Sequence, residues 1–68
     1  MKLSARNVIP GTIKEVKKGQ TTAHVRVDIG GQVITASITN EAVDELKLAA
    51  NQKAHVVIKA SDVMIAID

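Results

Sequence analysis

The chain has 68 residues, and nine Lys and Arg against seven Asp and Glu give it a formal net charge of +2. This length predicts a single domain, residues 1–68, close to the smallest size that folds alone. Cysteine is absent, which excludes disulfides and thiolate metal sites, and aromatic residues are absent, which removes the usual stacking platforms for bases and sugars. The sequence has neither an apolar run near the ~20 residues of a membrane-spanning helix nor a signal-peptide core, so we expect a cytoplasmic protein.

The first half of the sequence predicts three strands. Residues 2–18 are expected to form one long strand with a bulge or kink at Pro10–Gly11, because proline cannot donate a ladder hydrogen bond. Apolar and polar residues alternate over 21–29 and again over 32–39, which is the pattern of half-buried strands. Gly30–Gly31 lies between these runs and favours a tight hairpin turn, since glycine adopts positive φ at little cost.

The second half predicts a short helix and two further strands. Thr39 or Asn40 can cap a helix of about two turns, and acidic residues follow the cap, where the helix dipole favours negative charge. A strand is then predicted over residues 52–60. After a break at Ser61–Asp62, a last short strand is predicted over 63–67.

This order of elements predicts an all-β fold, a five-stranded OB-like Greek-key barrel with one short helix between strands 3 and 4. A small antiparallel sandwich or an SH3-like barrel is the alternative. The core consists of Val, Ile, Leu and Ala without a large ring, and the last strand is apolar on both faces. Because such a strand needs a cover on each face, the sequence also predicts a homo-oligomer.

The residues give little support to an enzyme or a metal centre. His24 and His55 are the only histidines, and each falls on the polar face of a predicted strand without a nucleophile beside it. Two separated histidines without cysteine match no metal-ligand spacing, so we expect no metal site and no cofactor. An OB-type nucleic-acid-binding module is the alternative function, but base stacking on aromatics supplies ~1–3 kcal/mol per base in such proteins, and this chain has none.

Hydrogen-bond donors instead cluster at the ends of predicted elements. Hydroxyl, Arg and Lys side chains occur in residues 4–7, at the helix start in residues 39–40, and in residues 59–61 at the end of the fourth strand. Such groups hold small oxyanions, which present hydrogen-bond acceptors only. Each segment taken alone is also typical of a cap or a solvated strand end, so the residues leave both interpretations open.

The same segments resemble a known family. Its characteristic stretches here are Ser4-Ala5-Arg6-Asn7, Pro10-Gly11-Thr12-Ile13, Gly30-Gly31, Ile34-Thr35-Ala36, Ile38-Thr39 and Lys59-Ala60-Ser61-Asp62-Val63-Met64. At this colinear spacing over essentially the whole chain, the sequence is similar to the Mop domain of the molbindins, or molybdenum-pterin-binding proteins, and to their stand-alone, clostridial-type members. The resemblance implies an OB-like subunit in a homohexamer, a trimer of dimers, that binds molybdate or tungstate at subunit interfaces.

The resemblance also implies which residues contact the anion. The residues at matching positions are Ser4, Arg6, Thr39, Lys59 and Ser61. A second anion site near a threefold axis is implied for Lys18, Gly19, Gln20 and Thr22. Family members often have a serine three residues after the threonine at the helix start, whereas this chain has Ala42, so one hydroxyl contact is missing.

The function implied by the resemblance is the storage and homeostasis of molybdate or tungstate. Molybdenum is then bound only as the oxyanion, so its oxo groups and not the metal contact the protein. Sensing, or delivery to a partner such as a molybdenum-cofactor synthesis enzyme, are the open alternatives. Neither a nucleic acid nor a membrane is expected as a partner.

Overall fold

The computed structural model describes all residues, 1–68, and contains one antiparallel sheet and one short helix. The elements are β1 (Asn7–Lys18), β2 (Thr22–Asp28), β3 (Val33–Thr39), α1 (Asn40–Leu46) and β4 (Lys53–Ile58), followed by a turn of 3₁₀ helix (Ala60–Asp62). The strands lie in the order β3-β2-β1-β4, which is the Greek-key order. The all-β class, the helix after the third strand and the Greek-key order are therefore confirmed, and a two-sheet sandwich is not formed.

The predicted fifth strand is absent from the sheet. Residues 63–68 carry no regular secondary structure. Val63 is about half exposed, whereas Met64, Ile65 and Ile67 are 91%, 86% and 92% accessible. The sheet thus has four strands, with β3 and β4 as its unpaired edges. The first strand is also shorter than predicted, because it begins at Asn7, where pairing with β4 starts, and not at residue 2.

The bulge of β1 lies at Lys14 and not at the predicted Pro10–Gly11. Ile13 pairs with β2, the register then shifts, and pairing resumes at Glu15. The extra residue changes which side chains point inward, since burial falls on odd-numbered positions up to Ile13 and on Val16 beyond the bulge. A proline is tolerated in this strand because the ladder between β1 and β2 begins only after it, so β1 is an edge on that side.

The core is small and entirely aliphatic. Five side chains are buried, namely Ile13, Ala23, Val25, Val27 and Val43. Val43 belongs to α1, whose inward face covers one end of the sheet. Gly11 closes the packing against β2: a Cβ added there would lie 2.7 Å from the Asp28 carbonyl oxygen and 2.7 Å from a Val27 methyl group.

The hairpin between β2 and β3 turns at the two predicted glycines. Gly30 and Gly31 have φ angles of 110° and 97°, which favour glycine. Their amides both donate to Asp28 Oδ1, at 2.9 and 3.0 Å. The tight turn is confirmed, and the structure adds the carboxylate that organises it.

An apolar groove of about 450 Å³ opens between the two edge strands. Its walls are Ala36 and Ile38 of β3, residues 54–57 of β4, Leu46 of α1, Leu48 shortly after the helix, and Met1. Its floor consists of core residues of β1 and β2. One side of the core is therefore open to solvent between two unpaired strand edges.

Candidate anion-binding site

Pairing of β1 with β4 brings the first and last of the predicted anion-binding segments together. Asn7 pairs with Ile58 at the end of the ladder, and Asn7 Nδ2 donates to the Ile58 carbonyl oxygen at 3.2 Å. Arg6 directly precedes this pair and Lys59 directly follows it. Ser4 lies two residues before Arg6 and Ser61 two residues after Lys59, so the four predicted residues flank the same end of β1 and β4.

This end of the molecule exposes hydrogen-bond donors from both segments. Arg6 and Lys59 are exposed, and so are the two serines. Lys59 has an extended backbone (φ −65°, ψ 135°) and begins the 3₁₀ turn that carries Ser61. The turn is closed by the Asp62 amide, which donates to the Lys59 carbonyl oxygen at 2.9 Å. Two positive charges and two hydroxyl groups are thus exposed on the short segments that flank β1 and β4.

Thr39, the fifth predicted residue, lies at the opposite end of the sheet. It is the last residue of β3 and pairs with Thr22, next to the end of β1 at Lys18. Because β1 has 12 residues, the two ends are separated by a contour of roughly 35 Å at about 3.3 Å per residue. One chain therefore does not bring the five predicted residues together.

Thr39 is oriented by its role as the N-cap of α1. Its Oγ1 accepts a hydrogen bond from the Ala42 amide at 3.0 Å. A hydroxyl has one proton to donate besides its acceptor lone pairs, so the cap leaves the proton of Thr39 free for an exposed acceptor. Ala42 offers only its amide, as the sequence predicted, and that amide is already used by the cap.

The predicted second site forms an open hollow of about 360 Å³ beside Thr39. Its lining residues are Lys17, Lys18, Gly19, Thr22 and His24. Three of the four predicted residues line it, whereas Gln20 is exposed at the turn without lining it. The ammonium of Lys18 is paired with the Asp44 carboxylate of α1.

The sequence prediction missed Lys17 and His24 at this hollow. They face each other across β1 and β2, since Lys17 pairs with His24 in the register. The alternation of the second strand already placed His24 on the polar face. What it could not supply was the register, because the bulge at Lys14 decides which β1 residue lies opposite.

The structure decides between the two predicted caps and gives Asn40 a different role. It was one of two candidate caps, but the cap is Thr39, and Asn40 instead joins α1 to the turn between β1 and β2. Its backbone amide donates to the Thr21 carbonyl oxygen at 2.9 Å, and its Nδ2 donates to the Gly19 carbonyl oxygen at 3.0 Å.

The structure contains neither a cluster of metal-ligating side chains nor a membrane-spanning helix. No group of three or more His, Cys, Asp or Glu side chains lies close enough to hold a metal ion. Neither helix has the length and apolar character needed to cross a bilayer.

Comparison with known proteins gives the family. Residues 3–65 match the TOBE domain. The probable molybdenum-pterin-binding protein of Haemophilus influenzae is 38% identical over 69 residues, covering 100% of both chains. A molybdate-binding protein from Sporomusa ovata has a similar structure, with a TM-score of 0.95, 33% identity and coverage of 98% of this chain and 100% of that one.

A longer protein also contains this fold. The cytoplasmic molybdate-binding protein ModG, solved with molybdate bound, has a TM-score of 0.88 and 43% identity, with coverage of 94% of this chain and 46% of ModG. The family match over 3–65 and the full-length relative agree with the motifs at both ends of the sequence. The chain therefore belongs to the TOBE domain family and, within it, to the Mop proteins, the molbindins.

Proposed function

We propose that this molbindin binds molybdate or tungstate as the intact oxyanion, at interfaces between subunits of a cytoplasmic homo-oligomer, and serves to store it. The names of its relatives support molybdate as the ligand. The observation that carries the interfacial site is the separation of the donors, since four lie at one end of the sheet and Thr39 at the other.

The chemistry of the ligand fits this donor set. Molybdate is a tetrahedral dianion whose metal is saturated by oxo groups, so the protein needs only donors around the oxygens. Arg6 and Lys59 offset the charge of −2, while Ser4, Ser61 and Thr39 direct hydroxyl protons at the oxygens. Such charge-assisted hydrogen bonds strengthen when an interface excludes water. Selectivity over sulfate then depends on cavity size, because the two anions have the same charge and shape.

Two chains are needed to complete such a site. The end of one subunit that carries Arg6 and Lys59 packs against the Thr39 end of a neighbour. Each subunit then contributes to two sites, once with each end. This head-to-tail use of the two ends agrees with a closed symmetric assembly, for which we propose a hexamer built as a trimer of dimers.

The exposed C-terminal segment supports assembly independently of the anion-binding residues. Residues 63–67 expose Met64, Ile65 and Ile67, while the groove between β3 and β4 is apolar and flanked by unpaired strand edges. In the assembly we propose that this segment of a neighbouring subunit fills the groove as the fifth strand. The five-stranded OB-like barrel is then completed between subunits, and a long exposed apolar run and two bare strand edges are removed together.

Native mass spectrometry with and without molybdate tests the proposed function. We expect a hexamer in dilute solution and a discrete number of added oxyanions after incubation with molybdate. Sulfate at the same concentration serves as the control for size selectivity and should leave the mass unchanged. A folded monomer that takes up no molybdate would overturn both the assembly and the ligand.

A further inference from the structure

Asn40 lies between Thr39, which is predicted for the first anion site, and the turn at residues 19–22, which is predicted for the second. It follows Thr39 directly and is the first residue of α1. Both its backbone amide and its side-chain amide donate to carbonyl oxygens of the turn that connects β1 with β2, at Thr21 and Gly19. One residue thus links the capping hydroxyl to the turn that carries the second hollow.

The orientation of the Asn40 side chain is fixed at a cost. Its Oδ1 is buried without a hydrogen-bond partner, although the residue as a whole is partly exposed. Rotating the amide by half a turn would bring Oδ1 against the Gly19 carbonyl oxygen, so the contact with Gly19 holds the unfavourable orientation in place. The hydrogen bond from Asn40 to Gly19 is therefore kept although Oδ1 of the same side chain has no partner.

A third contact makes the turn and the helix one unit. Lys18, at the start of the turn, is paired with Asp44 one turn into α1. The Gly19 amide closes the turn on the Thr22 carbonyl oxygen at 2.7 Å, and Thr22 pairs with Thr39 in the ladder between β2 and β3. A displacement of the turn is therefore transmitted to the residue that carries the capping hydroxyl.

We propose that Asn40 is a positioning residue that couples the Thr39 hydroxyl to the Gly19–Thr22 turn, so that an anion held by Thr39 also orders the turn. This rests on the proposed function, in which Thr39 contacts the anion. By thermodynamic linkage the effect is reciprocal: a turn held in place presents the hydroxyl correctly, and a loosened turn weakens the anion site.

The test compares Asn40→Ala with Gln52→Ala. Gln52 is a matched control, since its Oε1 accepts from the Ala49 amide at 3.0 Å in an exposed turn that belongs to neither anion-binding segment. Calorimetric titration with molybdate should show an affinity about fivefold lower for Asn40→Ala, the effect of one lost hydrogen bond, and little change for Gln52→Ala. Asn40→Ser, too short to reach Gly19, replaces Asn40→Ala if that variant does not fold.

Hydrogen exchange separates coupling from a loss of stability. In the unmodified protein, saturating molybdate should slow amide exchange both at residues 39–42 and at residues 19–22. In Asn40→Ala, saturating molybdate should still protect residues 39–42, but it should protect residues 19–22 less than in the unmodified protein, because the side-chain contact with Gly19 is lost. Protection of residues 19–22 equal to that in the unmodified protein, or an affinity equal to that of the unmodified protein, would overturn the coupling. Absence of molybdate binding by the unmodified protein would instead overturn the proposed function.

Discussion

Arg6 and Lys59 illustrate how little of the chain is needed to make one end suitable for an anion. They flank the last pair of the ladder between β1 and β4, Asn7 with Ile58, and both side chains are exposed. The sequence motifs predicted both residues, but only the antiparallel register explains why residues more than 50 positions apart lie at the same end of the sheet.

Replacing Arg6 tests this end of the site. We expect Arg6→Ala to weaken molybdate binding by about 1.5–3 kcal/mol, the loss of one hydrogen bond to a charged group, measured by isothermal titration calorimetry. Arg26→Ala is the matched control, because Arg26 is also an exposed arginine but lies in the middle of β2. Equal affinities of the two variants would remove Arg6 from the site.

Asp28 is expected to make the stability of the folded protein depend on pH through the hairpin between β2 and β3. The amides of Gly30 and Gly31 hold the pKa of the Asp28 carboxyl below its ordinary value, and the charge of Lys14 acts in the same direction. A carboxyl whose pKa is lowered by folding stabilises the folded state above its unfolded pKa, and this contribution disappears as pH falls through the folded pKa.

The matching measurement is urea unfolding of Asp28→Ala at several pH values. The variant should be less stable than the unmodified protein by a constant amount between pH 5 and 7, and the difference should shrink below about pH 4. Glu45→Gln, which removes an exposed carboxylate from α1, should not reproduce this profile. A stability difference that persists unchanged at the lowest pH would show that the carboxylate charge is not what organises the turn.

Gly11 is required by packing and not by its backbone conformation. A methyl group there would meet the Asp28 carbonyl oxygen, which cannot move without shifting β2. We expect Gly11→Ala to lower the free energy of unfolding by about 1–3 kcal/mol, as overpacked cores do. Thr12→Ala, at the exposed neighbouring position, is the control and should unfold at nearly the same urea concentration as the unmodified protein.

Among the elements, the hairpin was predictable in full and β1 only in part. Alternating residues on both sides of Gly30–Gly31 define strands and turn locally. The bulge at Lys14 also left a signal, since the inward-facing apolar residues change from odd to even positions between Ile13 and Val16. The prediction instead placed the bulge at the proline, although a strand that is locally an edge tolerates proline without a bulge.

The C-terminal segment was predicted as a strand because of its apolar residues, and within one chain it is not one. No unpaired edge of the same subunit pairs with residues 63–67, so sequence patterning, which is local, could not identify the chain that would pair with them. The prediction of a homo-oligomer from the same residues rests on their need for a cover, which a single chain leaves unmet.

Changing this segment tests the interface at the scale of one element. We expect Ile65→Asp to dissociate the oligomer, because a charge buried in the apolar groove is strongly unfavourable, and sedimentation velocity should then give the mass of a single chain or small fragments of the assembly. Ala50→Asp, exposed in the loop before β4, is the control. An intact oligomer with Ile65→Asp would exclude residues 63–67 from the interface.

At the scale of the whole molecule, the predicted anion-binding residues lie at two separate ends of the subunit, and its exposed apolar surface is likewise divided between two separate regions. One end of the sheet carries four of the five residues predicted for the first anion site and the other end carries Thr39, and the groove and the C-terminal segment are both apolar. The absence of aromatic residues fits both features, since the ligand needs donors only and a ring-free core of five buried side chains is expected to draw stability from neighbours.

A subunit-mixing titration tests the interfacial site most directly. Arg6→Glu damages one end of every subunit, and Thr39→Asp damages the other while retaining a good helix cap. Each variant alone should fail to bind molybdate, whereas an equal mixture, unfolded and refolded together, should regain roughly one site in four if subunits pair at random. A mixture that binds no molybdate, although both variants assemble, would contradict a site built from two chains.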